Sequence, residues 1–396
     1  MSSKKAVITI LGMIGGNDNH NKAMYYFEGN NILQKEYFNT FPLLIENYSQ
    51  EYVIVPLYTK EAKMVNEKVL HKSEIENFIF EEKYFIDNEK DFAKVFNTIN
   101  KAIDEFDELI IDVSHGFRHL PILMIVDLII QNFKDTSKIS KILFAKEIVQ
   151  FKEYEIIDLK EYLDLANIAF VLSTFEKNYT VASHIKSVKY KKLLGELNDF
   201  SNDLMALNLG NLFKTANDLI IELDKVEEVS IKTQAQSLKK TIEELSDFKG
   251  KKRYLVYYEL SKNLFDKKYM LLSLALLYES IRMYIKSAIK KEHKQLVEDI
   301  EKEFDNDLYK IGDFFKNLDK EYDYNQKAKK IVDKQQYTIL KKAYDKLGLK
   351  ELYKNINNKR NNLAHANSGV SFDYIEKDIA SLLFKYESLA IKTGLK

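Results

Sequence analysis

Two short runs of this sequence combine residue types that handle anions and protons. Toward the C-terminus the chain reads Asn357-Asn358-Lys359-Arg360-Asn361-Asn362-Leu363-Ala364-His365. Arginine presents a planar, permanently charged fork to phosphate or carboxylate oxygens, and histidine exchanges protons near neutral pH. Five residues apart, they bring an anion clamp and a proton carrier into one neighbourhood. Arginine is also scarce here: of 60 basic residues only Arg118, Arg253, Arg282 and Arg360 are arginines, the rest being lysine. The second run, residues 108–121, reads ELIIDVSHGFRHLP. An apolar strand ending at Asp112 and Val113 leads into the tight turn Ser114-His115-Gly116, and a helix begins near Leu120 with Pro121 in its first turn. Ser114 and His115 offer hydrogen-bond donors, Gly116 permits close backbone approach, and Arg118 is suited to gripping phosphate.

These residues need elements to position them. In residues 1–180, runs at 6–11, 52–58, 77–86, 108–113, 141–145 and 154–157 read as strands, and 91–106 and 120–133 as helices. Several runs are continuously apolar, as in parallel strands covered on both faces. The alternation predicts a Rossmann-like α/β domain with a largely parallel sheet, whose ligands sit beyond the carboxyl ends of the strands. A glycine-rich loop, Gly12-Met13-Ile14-Gly15-Gly16-Asn17, follows the first strand at that same edge. It lacks the G-x-G-x-x-G spacing of a dinucleotide site, which argues against a nucleotide-dependent oxidoreductase. From residue 181 to 396 proline is absent, and apolar residues recur at three and four. Helices are predicted over 190–223, 233–248, 269–290 and 374–392, an all-α domain, with the Lys-Glu run 290–303 as a solvated face or connector.

The run Asp112-Val113-Ser114-His115-Gly116-Phe117-Arg118, with Pro121 following, resembles the signature of the CRISPR-associated Rossmann-fold (CARF) domains of type III CRISPR systems. The family more often has threonine where Ser114 stands. The resemblance implies a dimer that binds a cyclic oligoadenylate across its two-fold axis. It places Gly12, Gly15, Gly16, Asn17, Ser114, His115, Gly116 and Arg118 around the ring. Tetra-adenylate is favoured over hexa-adenylate by family habit, and Ser114 and His115 stand where slow cleavage of the activator would occur. The R-x4-H pair resembles the motif of HEPN ribonucleases, in which a polar residue such as Asn361 follows the arginine. This implies Arg360, Asn361 and His365 as catalytic residues in a composite site made by two copies of the chain. Attack of a ribose 2′-hydroxyl on the adjacent phosphate of single-stranded RNA would leave a 2′,3′-cyclic phosphate and a 5′-hydroxyl. On an ideal helix, residues five apart lie about 140° around the axis. Either a helix starts within the motif, or the pair lines a cleft from two sides.

Together these readings predict an activator-switched, metal-independent endoribonuclease of antiviral defence, working as a homodimer. The rival is a non-enzymatic ligand-sensing regulator whose helical domain binds a partner. Sixty acidic residues balance the 60 basic ones, so contact with RNA is expected to be local. The absence of cysteine excludes thiolate metal sites and fits a reducing cytoplasm. Neither a signal-peptide pattern nor an apolar run of membrane-spanning length is seen. His115 and His119 have H-x-x-x-H spacing but span a predicted turn, so no metal or cofactor is expected. Within 269–290, Glu279 and Arg282 interrupt an apolar face and are expected to form a buried or interfacial ion pair, the alternative being that they orient Arg360 or RNA.

Overall fold

The computed structural model describes residues 3–14, 21–29, 35–116, 119–182, 184–246, 251–318, 330–366 and 369–391. Gly15, Gly16, Asn17 and Arg118 of the expected ring site lie outside them. The chain divides into two compact units, Met1–Asn198 with Lys225–Ala235, and Asp199–Asp224 with Gln236–Lys396.

The first unit is built on a seven-stranded sheet in the order β3-β2-β7-β6-β5-β1-β4. Its strands are β1 (Lys5–Ile10), β2 (Ala23–Phe27), β3 (Lys35–Tyr37), β4 (Val53–Leu57), β5 (Glu108–Asp112), β6 (Ile139–Val149) and β7 (Glu153–Asp158). β1 runs parallel to β4 and β5, β5 to β6, and β2 to β7; β6–β7 and β2–β3 are antiparallel. The sheet is therefore largely parallel, as the apolar runs imply. Ala6, Val7, Ile8 and Ile10 are fully buried, as in a strand covered on both faces. Pro56, which has no N–H to give a ladder, lies on the edge strand β4. Helices α1 (Thr40–Tyr48), α2 (Lys60–Lys72), α3 (Phe92–Asp104), α4 (His119–Lys134) and α5 (Lys160–Asn178) complete the layers.

Residues 77–86 do not form the expected strand. They hold one short helical turn, Glu82–Tyr84, and a single bridge from Phe85 to Tyr58. Their aromatic residues pack as rings instead, Phe78 at 5.1 Å from Phe41 and Phe80 at 5.2 Å from Tyr58. Aromatic richness here reflects ring packing and not strand pairing.

Beyond residue 180, the expected helix 190–223 is two, α6 (Lys191–Met205) and α7 (Leu209–Asp224). Between them Leu207 takes a left-handed φ of 53°. Asp203 fixes the break by accepting hydrogen bonds from Asn208 at 2.8 Å and Asn211 at 2.7 Å. α8 spans Val229–Ser246 and α9 Arg253–Asp266. α10 (Met270–Glu292) is buried around most of its girth, which marks it as the central helix of its unit. Small hydroxyl residues let α9 approach it closely: Ser261 donates to the Ser273 carbonyl at 2.8 Å, and Ser280 to the Tyr254 carbonyl at 2.6 Å. α11 (Lys294–Glu303), α12 (Leu308–Lys316), α13 (Lys334–Lys346), α14 (Lys350–Ala364) and α15 (Phe372–Tyr386) follow. The Lys-Glu run is a helix face, with Glu301 accepting from Lys286 at 2.8 Å and Lys290 at 2.7 Å. The architecture is thus an α/β domain followed by a helical one.

Candidate functional site

In the first unit, β1 and β5 are neighbours running the same way, so both of their following loops emerge at one edge. The loops touch. A Cβ added to Gly12 would lie 3.0 Å from the Gly116 nitrogen and 3.3 Å from the His115 Cβ. Gly116 has a φ of +106°, and a Cβ there would meet Ile10 Cγ2 at 2.6 Å. A side chain at Gly12 would crowd the Gly116 backbone, and one at Gly116 would clash with the Ile10 side chain and sit at a strained positive φ.

Beneath the turn lies the buried carboxylate of Asp112. It accepts from Thr9 Oγ1 at 2.7 Å, Thr40 Oγ1 at 3.0 Å, the Ser114 N–H at 3.1 Å and the Ser114 hydroxyl. The Ser114 Oγ in turn accepts from the Ala145 N–H at 2.8 Å. Its hydroxyl proton is therefore committed to Asp112, and toward a ligand the oxygen is an acceptor more than a donor. Burial holds His115 below its usual range, against the opposing pull of the Asp112 charge. The Thr40 N–H, in the first turn of α1, reaches His115 Nε2 at 3.4 Å. A neutral imidazole accepting there carries its proton on Nδ1, which makes Nδ1 the donor.

Two asparagines not singled out in the sequence hold the other loop. Asn39, the N-cap of α1, donates to the Ile14 carbonyl at 2.9 Å and to Asn66 Oδ1 at 3.0 Å. Asn66, on α2, donates to the Gly12 carbonyl at 2.9 Å and the Ala62 carbonyl at 2.8 Å. Both side chains are buried, so the strand-end loop is tied to α1 and α2 by a polar network shielded from water. His119 bonds through Nε2 to the Glu89 carbonyl at 2.9 Å and lies against the Phe92 ring.

In the second unit the helix does not start within the Arg360–His365 motif; it ends there. Arg360 lies in the last turns of α14 and His365 is its C-cap, exposed, with its N–H on the Asn361 carbonyl at 3.0 Å. The Arg360 guanidinium lies 4.5 Å from the centroid of the Tyr278 ring on α10. It donates to Asn361 Oδ1 at 2.7 Å and more weakly to Asn357 Oδ1 at 3.4 Å. Its Nε is buried without a partner, and no carboxylate pairs with it among the described residues. The fork is thus positioned but not neutralised, which suits an incoming phosphate.

Tyr278 is the residue that sequence reading passed over, because an aromatic on an apolar helix looks like core. Its hydroxyl accepts from Tyr353 at 2.7 Å; burial and that bond push the Tyr353 phenol up. Arg282 lies 5.5 Å from the Tyr278 ring and is buried. It pairs with Glu279 at 2.7 and 3.0 Å, as expected, and donates to the Tyr309 carbonyl at 3.0 Å. A Cβ on Gly312 would strike its guanidinium at 2.9 Å. Arg282 is therefore a neutralised structural cation, whereas Arg360 is the available one. Among the described residues no His, Asp and Glu cluster has the look of a metal site, and no helix is long and apolar enough to cross a membrane.

No family model and no curated protein matches the sequence. Among solved structures, Enterococcus italicus Csm6 bound to cyclic hexa-2′-fluoro-hexa-dAMP is similar over 98% of this chain and 93% of its own. The identity is 11% and the TM-score 0.35. At that level the likeness says nothing about what this chain binds or cuts.

Proposed function

We propose that the chain is a cyclic-oligoadenylate-activated, metal-independent endoribonuclease of type III CRISPR defence, acting on single-stranded RNA as a homodimer. The observation that carries the reading is Arg360: a guanidinium fixed on an aromatic ring, with no carboxylate partner among the described residues, at the same helix end as the exposed His365. In the first unit, residues up to about 180 sense the activator. The touching loops of β1 and β5 meet the ring at the sheet edge, with the His115 Nδ1–H as donor and the Ser114 oxygen as acceptor. Gly15, Gly16, Asn17 and Arg118, which lie outside the described residues, are assigned to the same ring site by their place in the sequence motifs.

In the helical domain, residues 181–396, two copies of the motif face each other. One His365 takes the proton of the ribose 2′-hydroxyl while its oxygen bonds to phosphorus. The bond to the 5′-oxygen breaks, and the other copy's histidine protonates that leaving oxygen. Arg360, steadied by Asn361 and Tyr278, clamps the non-bridging oxygens as negative charge builds on them. DNA has no 2′-hydroxyl and is left intact. The test is end-group analysis by mass spectrometry after incubation with RNA. Products ending in 2′,3′-cyclic phosphate and 5′-hydroxyl, lost in His365→Ala, support the mechanism; 3′-hydroxyl and 5′-phosphate ends would refute it.

A further inference from the structure

Beside the motif, in the helical unit, is a cavity of about 220 Å³ that the mechanism above does not use. Lys359 and Asn362 of α14 line it together with Tyr374 and Asp378 of α15, over an apolar floor that includes Leu274 and Ile379. We propose that this cavity holds one nucleobase of the single-stranded RNA, next to the scissile phosphate, and so sets the preferred sequence. The inference rests on the nuclease reading.

Three observations point to a base. The first is position: Lys359 adjoins Arg360 in α14 and Asn362 stands one turn beyond Lys359, so the cavity opens on the helix face roughly 100–160° round from Arg360, and a strand whose phosphate meets Arg360 seats its neighbouring base by wrapping around the helix end. The second is chemistry. A base is a flat apolar face with a polar edge. Leu274 and Ile379 are buried beneath the cavity, the Tyr374 ring is 53% exposed, and the Asn362 amide makes no hydrogen bond among the described residues. An aromatic ring stacks on a base, and a free amide offers both a donor and an acceptor to its edge. The third is charge and size. Lys359 is ion-paired with Asp378 and sits 5.5 Å from the Tyr374 centroid, so this wall has no spare cation for a phosphate. The volume falls below the roughly 300–1,000 Å³ of sites that enclose drug-sized ligands, which suits a single ring system.

The test uses the full chain with His365→Ala, so that RNA is bound and not cut, in the presence of cyclic tetra- or hexa-adenylate. Fluorescently labelled tetramers of A, C, G and U are titrated by anisotropy. One base is expected to bind at least about tenfold more tightly than the weakest. Adding Tyr374→Ala should weaken that tetramer by about tenfold or more and flatten the ranking; Tyr374→Phe should keep both. Asn362→Ala should change the ranking. Equal binding of all four tetramers, or a ranking indifferent to Tyr374→Ala, would overturn the proposal. The same RNAs are given to the chain with His365 intact. Base-selective binding without cleavage would sink the nuclease reading and leave the pocket standing. Cleavage at rates indifferent to base and to Tyr374→Ala would do the reverse.

Discussion

Replacing Asp127 by asparagine should make the protein more stable at neutral pH, which is an unusual outcome for a change at a fully buried position. Asp127 lies on α4, the helix that follows the Ser114–Arg118 turn, and among the described residues neither of its carboxylate oxygens has a well-formed hydrogen bond, the Asn100 amide being only a weak neighbour. Burial and the nearby charge of Asp104 push it up to about 6 from 3.8, against the pull of Lys134 and Lys138 and of the Asn100 amide. At about 1.36 kcal/mol per unit, that difference is a ceiling of about 3 kcal/mol. The sign follows from proton counting. Between pH 4 and 6 the folded state holds the proton that the unfolded state has released, so stability falls as pH rises and levels off above 6. An asparagine in its place does not titrate. The variant's advantage should therefore be small near pH 4, about half developed at pH 5, and full at pH 7.5. For a unit of this size it corresponds to a rise in Tm of roughly 3–10 °C. Thermal unfolding of both proteins across that pH series measures it. A variant equal to or less stable than the parent at pH 7.5, or a gap that does not widen with pH, would refute the reasoning.

Further outcomes follow from the two sites. Tyr278→Ala should lower the RNA cleavage rate about tenfold by releasing Arg360, while Tyr278→Phe, which keeps the ring, should stay within a few-fold in single-turnover kinetics. Gly116→Ala forces a Cβ into Ile10 at a positive φ and should destabilise the first unit by about 1–3 kcal/mol, read from urea unfolding. Asn66→Ala unties the Gly12 carbonyl; it should weaken cyclic-oligoadenylate binding at least about tenfold by calorimetry and speed hydrogen exchange in residues 11–14. His115 is held low, so its unfolded form binds protons more readily. Its contribution to stability is present above the ordinary histidine range and lost as pH falls below it, and His115→Asn should flatten that limb of the pH profile.

Much of this was legible in residue order because the signals are local. The continuous apolar runs of β1 and β5 could only be covered strands, and each ends in a glycine-bearing turn, which put both loops at one edge of the sheet. The 23 residues of α10 carry their apolar periodicity in plain view. The misreadings have physical causes. The aromatic run 77–86 looked like a strand because ring packing and strand pairing use the same residues. The helix predicted over 190–223 breaks at Leu207, because the side chain of Asp203 stabilises a turn whose left-handed residue is a leucine and not a glycine. The supporting residues were the least visible. Thr9, the adjacent pair Asn39 and Thr40, and Asn66 come from three separate parts of the chain and meet only once the sheet has formed around Asp112 and the Gly12 loop. Tyr278 was hidden by its own usefulness to the core, since its ring packs like any other aromatic while the guanidiniums of Arg360 and Arg282 lie against it.

The most direct test of the central claim is cleavage of a fluorogenic single-stranded RNA in EDTA, with cyclic tetra-adenylate, cyclic hexa-adenylate or neither, beside His365→Ala. The account predicts cleavage that requires one of the rings, persists in EDTA and disappears in the variant. No cleavage with either ring, or cleavage that survives His365→Ala, would contradict it.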